Sequence, residues 1–215
     1  MKVFKSGLCL ALTLSVVLGM TGCSAGGFSH KTLCNIAEDY DFDECKKVMD
    51  FSDKRYNYAE EKQFYINAKD EDALPIFYTQ IDNSRNLLDH DSVSEVTCLY
   101  DYTAPIITDD QEDLTYAEAF GTYSVIVLVS YDNKDDAKGF FEEEIEALNL
   151  DDEDVAKSKG CSYVIKCNNV EEDMYKMSAL YHKGNSVLVI FGATNDFDVI
   201  EEACKKFGIV SPLDA

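Results

Sequence analysis

Tyr123-Ser124-Val125-Ile126-Val127-Leu128-Val129-Ser130-Tyr131 is the stretch whose reading decides the fold. Five successive β-branched or leucine residues with no charge among them fit a strand buried on both sides better than one with a wet face. Asn133 follows at once and is placed to cap a helix in which Ala137, Phe140, Phe141, Ile145 and Leu148 fall on one stripe.

Working outward, the same unit of strand, Asn- or Asp-containing turn and amphipathic helix recurs. It is read over 63–81, 125–148 and 187–207, with starts 62 residues apart. Asn195 keeps the spacing of Asn133, and Asp70 is one residue off it. A diverged duplication and an unrelated recurrence of strand–helix units both fit. Between the units, Glu95 to Tyr100 alternates like a strand, as do Cys161 to Cys167 and Met174 to Tyr181. Lys183-Gly184-Asn185 supplies a tight turn into Ser186–Phe191, where Gly and Asn tolerate positive φ. Ser29 is placed to cap a first helix over 30–40, with Leu33, Ile36, Ala37 and Tyr40 on its apolar stripe, and Gly208 stops the last one. Cys45 to Phe51 reads as a short strand. Residues 83–91, 105–115 and 150–159 read as polar or acidic loops.

Hairpins dominate and helices are few. The expected class is α+β: a mainly antiparallel sheet with about four helices on one face, built from strand–turn–helix units. Whether they form one sheet or two subdomains is open at this stage.

The start of the chain reads differently. Lys2 and Lys5 make a positive n-region, and Gly7 to Met20 is uncharged and too short to span a bilayer as a helix. Met20-Thr21-Gly22-Cys23 then resembles the lipobox of bacterial lipoprotein signals, with Met where Leu is commoner. The resemblance covers residues 1–23 and implies that 1–22 are removed and that Cys23 carries a diacylglyceryl thioether. Two acyl chains hold a protein stably at a membrane where one does not. Residues 23–29 then form a lipidated tether and 30–215 an extracytoplasmic domain on the outer face of the cell membrane. The alternative is an ordinary secretory signal cut after Ala25. The domain's layout is similar to that of small uncharacterised lipoproteins of Gram-positive bacteria, a likeness of pattern with no motif behind it.

Loss of Lys2 and Lys5 deepens the formal charge from −22 to −24. Such a chain repels nucleic acid, and no nucleic-acid partner is expected. Six cysteines remain beyond Cys9 and Cys23: Cys34, Cys45, Cys98, Cys161, Cys167 and Cys204. An even number in an exported domain points to disulfides, against the alternative of buried free thiols. Cys34–Cys45 is the first pairing expected. Cys161 and Cys167 share strand parity and stand about 20 Å apart, so each needs another partner, with Cys98 and Cys204 at hand.

No motif carries chemistry. His30, His90 and His182 have no metal-ligand spacing among themselves, and no metal or other cofactor is expected. Asp39, Asp41 and Asp43 alternate like the start of a calcium loop, but Glu44 stands where Gly is needed and Asp50 where Glu is. The acidic runs 109–113 and 151–154 read as solvated loops. Cys204 beside Lys205 and Lys206 is a candidate for a lowered thiol pKa, with a core or disulfide role the more ordinary reading. The expectation is a non-catalytic domain that binds another protein or is structural. The alternatives are a small-molecule or cation-binding lipoprotein, and an envelope hydrolase or redox protein.

Overall fold

A computed structural model describes residues 26–56, 62–80, 92–106, 114–147, 155–171 and 174–215. The chain runs α1 (His30–Asp39), β1 (Asp43–Glu44), α2 (Val48–Tyr56), β2 (Lys62–Lys69), a 3-10 turn (Asp70–Asp72), α3 (Ala73–Gln80), β3 (Val93–Thr103), α4 (Tyr116–Phe120) and β4 (Thr122–Tyr131). It continues through α5 (Lys134–Ala147), β5 (Ala156–Ser158), β6 (Cys161–Glu171), β7 (Met174–Lys183), β8 (Ser186–Thr194) and α6 (Asp198–Phe207). The strands form one eight-stranded sheet in the order β1-β2-β3-β4-β8-β7-β6-β5. β1 joins β2 in parallel and the remaining neighbours are antiparallel.

β4 lies inside this sheet between β3 and β8, as its unbroken apolar run requires. Its two sets of side chains enter two separate cores. Val125, Val127 and Val129 meet Phe51 of α2, Ile76 and Phe77 of α3, and Phe140, Phe141 and Ile145 of α5. Ile126 and Leu128 meet Leu33, Ile36 and Ala37 of α1 and Val199, Ile200 and Ala203 of α6. Helices therefore cover both faces, which corrects the expectation of four helices on one. The reason lies in β4 itself: a strand apolar on both sides needs a cover on both sides.

The three strand–helix units exist as β2–α3, β4–α5 and β8–α6. β2 and β4 are each antiparallel to β3 and so run the same way, and α3 and α5 cover the same face. β8 runs against β4, and α6 covers the opposite face. The third unit is thus not placed like the other two.

Local signals hold in part. Asn133 caps α5, its Oδ1 accepting from the backbone N–H groups of Asp135 (3.0 Å) and Asp136 (2.9 Å). Ser29 caps α1 through Thr32 N–H (3.3 Å), and Gly208 ends α6 in the left-handed conformation at φ 66°. Asn195 does not cap α6; Asp196 Oδ1 accepts from Asp198 N–H (3.2 Å) instead. Asp70 lies in the 3-10 turn and caps nothing, because Lys69 holds the cap position with no side-chain bond. In the β7–β8 turn Gly184 takes the positive φ (61°), and Asn185 does not need to. Cys45 to Phe51 is not a strand: it runs into α2, whose largely polar sequence hides a helix held by Phe51, with Val48 packed against the same core. Phe28 and Ser29, expected in the tether, belong to the fold. Phe28 is buried against Phe207, and its N–H donates to Ser186 Oγ at 2.7 Å. No helix of the described residues is long and apolar enough to cross a membrane.

Candidate functional site

The strands of the sheet have two ends, and polar side chains collect at both. At the first end stand Lys69, Val93, Tyr131, Lys183 and Ser186. At the second stand Lys62, Thr103, Thr122, Met174 and Thr194.

At the first end, on the face covered by α1, His30 is buried between two hydroxyls. Its Nδ1 lies 2.8 Å from Thr97 Oγ1 and its Nε2 2.8 Å from Ser130 Oγ. Asn67 Nδ2 donates to the same Thr97 oxygen (2.7 Å) and to Glu95 (2.9 Å). A serine on an imidazole has the outline of a hydrolase dyad, but the parts are wrong. The orienting position holds a threonine hydroxyl where imidazolium formation calls for a carboxylate. Burial, with Lys69 adding to it and Glu95 opposing, pulls the His30 pKa from 6.5 to about 4. The network is a closed polar clasp that joins α1 to β3 and β4, and every ring nitrogen in it has a partner.

At the second end the helical cover stops short of the strand ends and leaves a cleft of about 300 Å³. Its floor is set by register. Gln63, Asp101, Ser124 and Gly192 face one another across β2, β3, β4 and β8, and Thr103 faces Thr122 in the next row. Gly192 lets β8 lie close against β4, since a Cβ there would meet the carbonyl oxygen of Tyr123 and lie 2.9 Å from Ser124 Cα. One wall is α4, fixed by a capping box in which Glu118 accepts from the N–H and the hydroxyl of Thr115, both at 2.9 Å. Those bonds hold the Glu118 carboxyl below its usual pKa. The other wall is Thr194-Asn195-Asp196, tied by Thr194 Oγ1 to the backbone N–H of Asp196 (3.0 Å). Ile106 lines the mouth, half-exposed, while the side chain of Tyr123 belongs to the opposite face of β4.

The sequence-derived candidates are scattered by comparison. All six cysteines beyond the signal are free thiols in the structure, which corrects the expected disulfides. Cys34 packs on the α1/α6 face and Cys45 on the opposite one, so the first-expected pair sits across the sheet. Cys98 is fully buried beside Cys45, and Cys161 and Cys204 both lie near Tyr181. Cys161 and Cys167 do share a face. Burial pushes the Cys204 thiol up to about 12, the reverse of activation, while Lys205 and Lys206 are taken by Glu202. Asp39, Asp41 and Asp43 do not converge: Asp43 pairs with Lys54 (2.9 Å), and no group of three potential ligands is close enough to hold a metal among the described residues. His182 is bonded to the Gly184 carbonyl at 3.0 Å. Cys23, His90 and the acidic runs 109–113 and 151–154 lie outside the described residues.

No known protein family matches the chain, and no curated protein does. Among solved structures, the extracellular domain of PknH from Mycobacterium tuberculosis is similar with a TM-score of 0.39 at 12% identity, over 84% of this chain and 95% of that one.

Proposed function

We propose that the chain is a lipid-anchored extracytoplasmic protein, held by a diacylglyceryl group on Cys23, whose domain is a non-catalytic recognition module with the cleft as its binding site. The lipobox at 20–23 supports the anchor, with 1–22 as the signal. The observation that carries the module reading is the position of the two ends. The fold takes hold of the chain at Phe28, through Ser186 at the start of β8, only five residues after Cys23. The cleft lies past the other end of that same strand, at Thr194–Asp196. Eight residue steps at about 3.3 Å each put roughly 26 Å between them. A domain tethered at Cys23 stands on the first end and turns the cleft toward solution, where a protein partner reaches it.

Mass spectrometry of the protein extracted from membranes tests the anchor. Expected is an N-terminal peptide starting at Cys23 with a diacylglyceryl mass, and release into the medium on Cys23→Ala. A chain starting at Gly26 with no lipid overturns the anchor. Crosslinking on intact cells tests the module. A partner captured by wild type and lost with Ser124→Ala and Asp101→Asn supports it, and capture indifferent to both overturns it.

A further inference from the structure

We infer that the outer edge of β6 is a docking site for an extended acidic segment of a partner protein, which adds to the sheet there as a further strand. The site is separate from the cleft, which takes none of its lining from β5, β6 or β7. β5 covers the outer side of β6 only from Cys161 to Tyr163, while β6 runs on beside β7 to Glu171. Among the described residues, the side of β6 away from β7 therefore has no neighbouring strand from Ile165 to Val170. Alternate residues there turn their N–H and C=O groups outward, where a ladder would form. That run has the length of an ordinary strand, and Lys166, Asn168, Asn169 and Val170 within it are exposed.

Charge selects the strand that fits. The formal charge of the chain is −22, yet residues 155–170 contain Lys157, Lys159 and Lys166 and no carboxylate. Lys157 stands opposite Ser162, Lys166 opposite Ser178 and Lys176 opposite Asn168, all on the face of Val164 and Leu180. Lys157, Lys166 and Lys176 are exposed and without an ion-pair partner among the described residues. The other face of β6 is apolar at the same level: Tyr163, Ile165 and Cys167 are half-buried against the core under α1 and α6. Side chains alternate along a strand, so the complementary sequence alternates acidic and apolar residues. Its carboxylates come to lie beside Lys166, with Lys176 diagonal to it on β7, and its apolar residues cover Ile165 and Cys167. A second copy of this chain fits less well. Two copies of β6 paired antiparallel would carry Lys166 and Lys176 of both chains on one face and would join two strongly negative domains. Lysine on an open edge thus blunts self-pairing, and the same charge admits an acidic strand.

The test uses the full chain in detergent micelles, titrated with acetyl-Glu-Val-Glu-Val-Glu-Ser-amide and followed by amide chemical shifts and hydrogen exchange. Expected are saturable shifts from Ile165 to Val170, slowed exchange of the outward amides there, and no shift at Ser124. Replacing every glutamate by glutamine weakens binding roughly tenfold. Lys166→Gln with Lys176→Gln weakens it by roughly the same factor, with a dispersed spectrum showing that the variant is folded. Lys166→Glu with Lys176→Glu reverses the preference and takes the peptide that has lysine in place of glutamate. N-methylation of the peptide amides that face β6 abolishes binding, and N-methylation of the alternate set does not, because main-chain bonds hold an added strand. Equal binding of the glutamate and glutamine peptides, binding that survives both N-methylations, shifts confined to other surfaces, or no binding at millimolar peptide overturns the inference. Dimerisation through β6 in the absence of peptide overturns it as well, because the edge then belongs to a second copy.

Discussion

The two ends of the same four strands treat their hydroxyls in opposite ways. At the clasp, Thr97 and Ser130 are closed under α1 and bonded to His30. At the other end, the Thr122 and Ser124 hydroxyls open onto the cleft, and the buried polar atoms without a partner among the described residues, Tyr131 Oη and Asn185 Oδ1, lie at the clasp end instead. Ser124 and Ser130 lie on the same strand and face, six residues apart. The side chains do not differ in kind; the cover does. α1 starts over the clasp at His30 and ends short of the cleft, so one end of the face is sealed and the other is left for a visitor. Hydroxyls sealed under a helix fix structure through the bonds they share, whereas hydroxyls that open onto a cleft are left to water or to a ligand.

The largest effect that would break this contrast is at the clasp. His30 has a folded pKa of about 4 against 6.5 in the unfolded chain, so between those values only the unfolded chain takes up the proton. Its contribution is fully present above pH 6.5, falls as the pH drops toward 4, and is flat below. The shift corresponds to about 3 kcal/mol. Glu95 and Lys69 are the charges facing the ring, and they act in opposite directions. Urea unfolding at pH 7 and pH 4, wild type against His30→Gln, should show wild type losing about 3 kcal/mol more than the variant. Equal losses would mean that His30 is not held neutral and the clasp is not closed.

A smaller effect belongs to the contact between β8 and β4 at the cleft end. Gly192→Ala forces a methyl against the Tyr123 carbonyl, between β8 and β4, and overpacking of this kind costs about 1–3 kcal/mol. The denaturation midpoint should fall accordingly, with the slope unchanged. A neutral result would mean that β8 and β4 separate freely there.

How much of this was legible depends on how local each feature is. β4 was readable because burial on both faces removes the alternation that an exposed strand keeps, and Asn133 was readable because capping spans three residues. The same reading of β4 already called for helices on both faces, which counting hairpins and helices obscured. α4 had a signal that went unused: Thr115-x-x-Glu118 is a capping box, and the structure forms it. α2 had none, since Asp53, Lys54 and Arg55 mask its apolar residues Val48 and Phe51. Neither polar site could be seen. The clasp joins His30 to Ser130 across 100 residues, and the cleft takes its floor from four strands whose register alone aligns Gln63, Asp101, Ser124 and Gly192. Register is set by long-range packing, and no short window of sequence contains it.

The smallest effect is the sharpest comparison, because the same substitution is made at both ends. Thr97→Val removes a hydroxyl that lies 2.8 Å from His30 Nδ1 and accepts from Asn67 at 2.7 Å. It leaves a buried ring nitrogen alone and should cost about 1–3 kcal/mol. Thr122→Val removes a hydroxyl that bonds nothing among the described residues. It should change stability by no more than about 0.5 kcal/mol, with a small gain as the natural direction, because the methyl that replaces the hydroxyl has no bond to miss. Parallel urea titrations of the two variants measure the difference directly. If both lose the same stability, the cleft hydroxyl is satisfied within the fold after all. If Thr122→Val is neutral in stability but lowers partner capture in the crosslinking assay, the hydroxyl serves the ligand and not the fold, and the two ends of the sheet have been assigned their separate tasks.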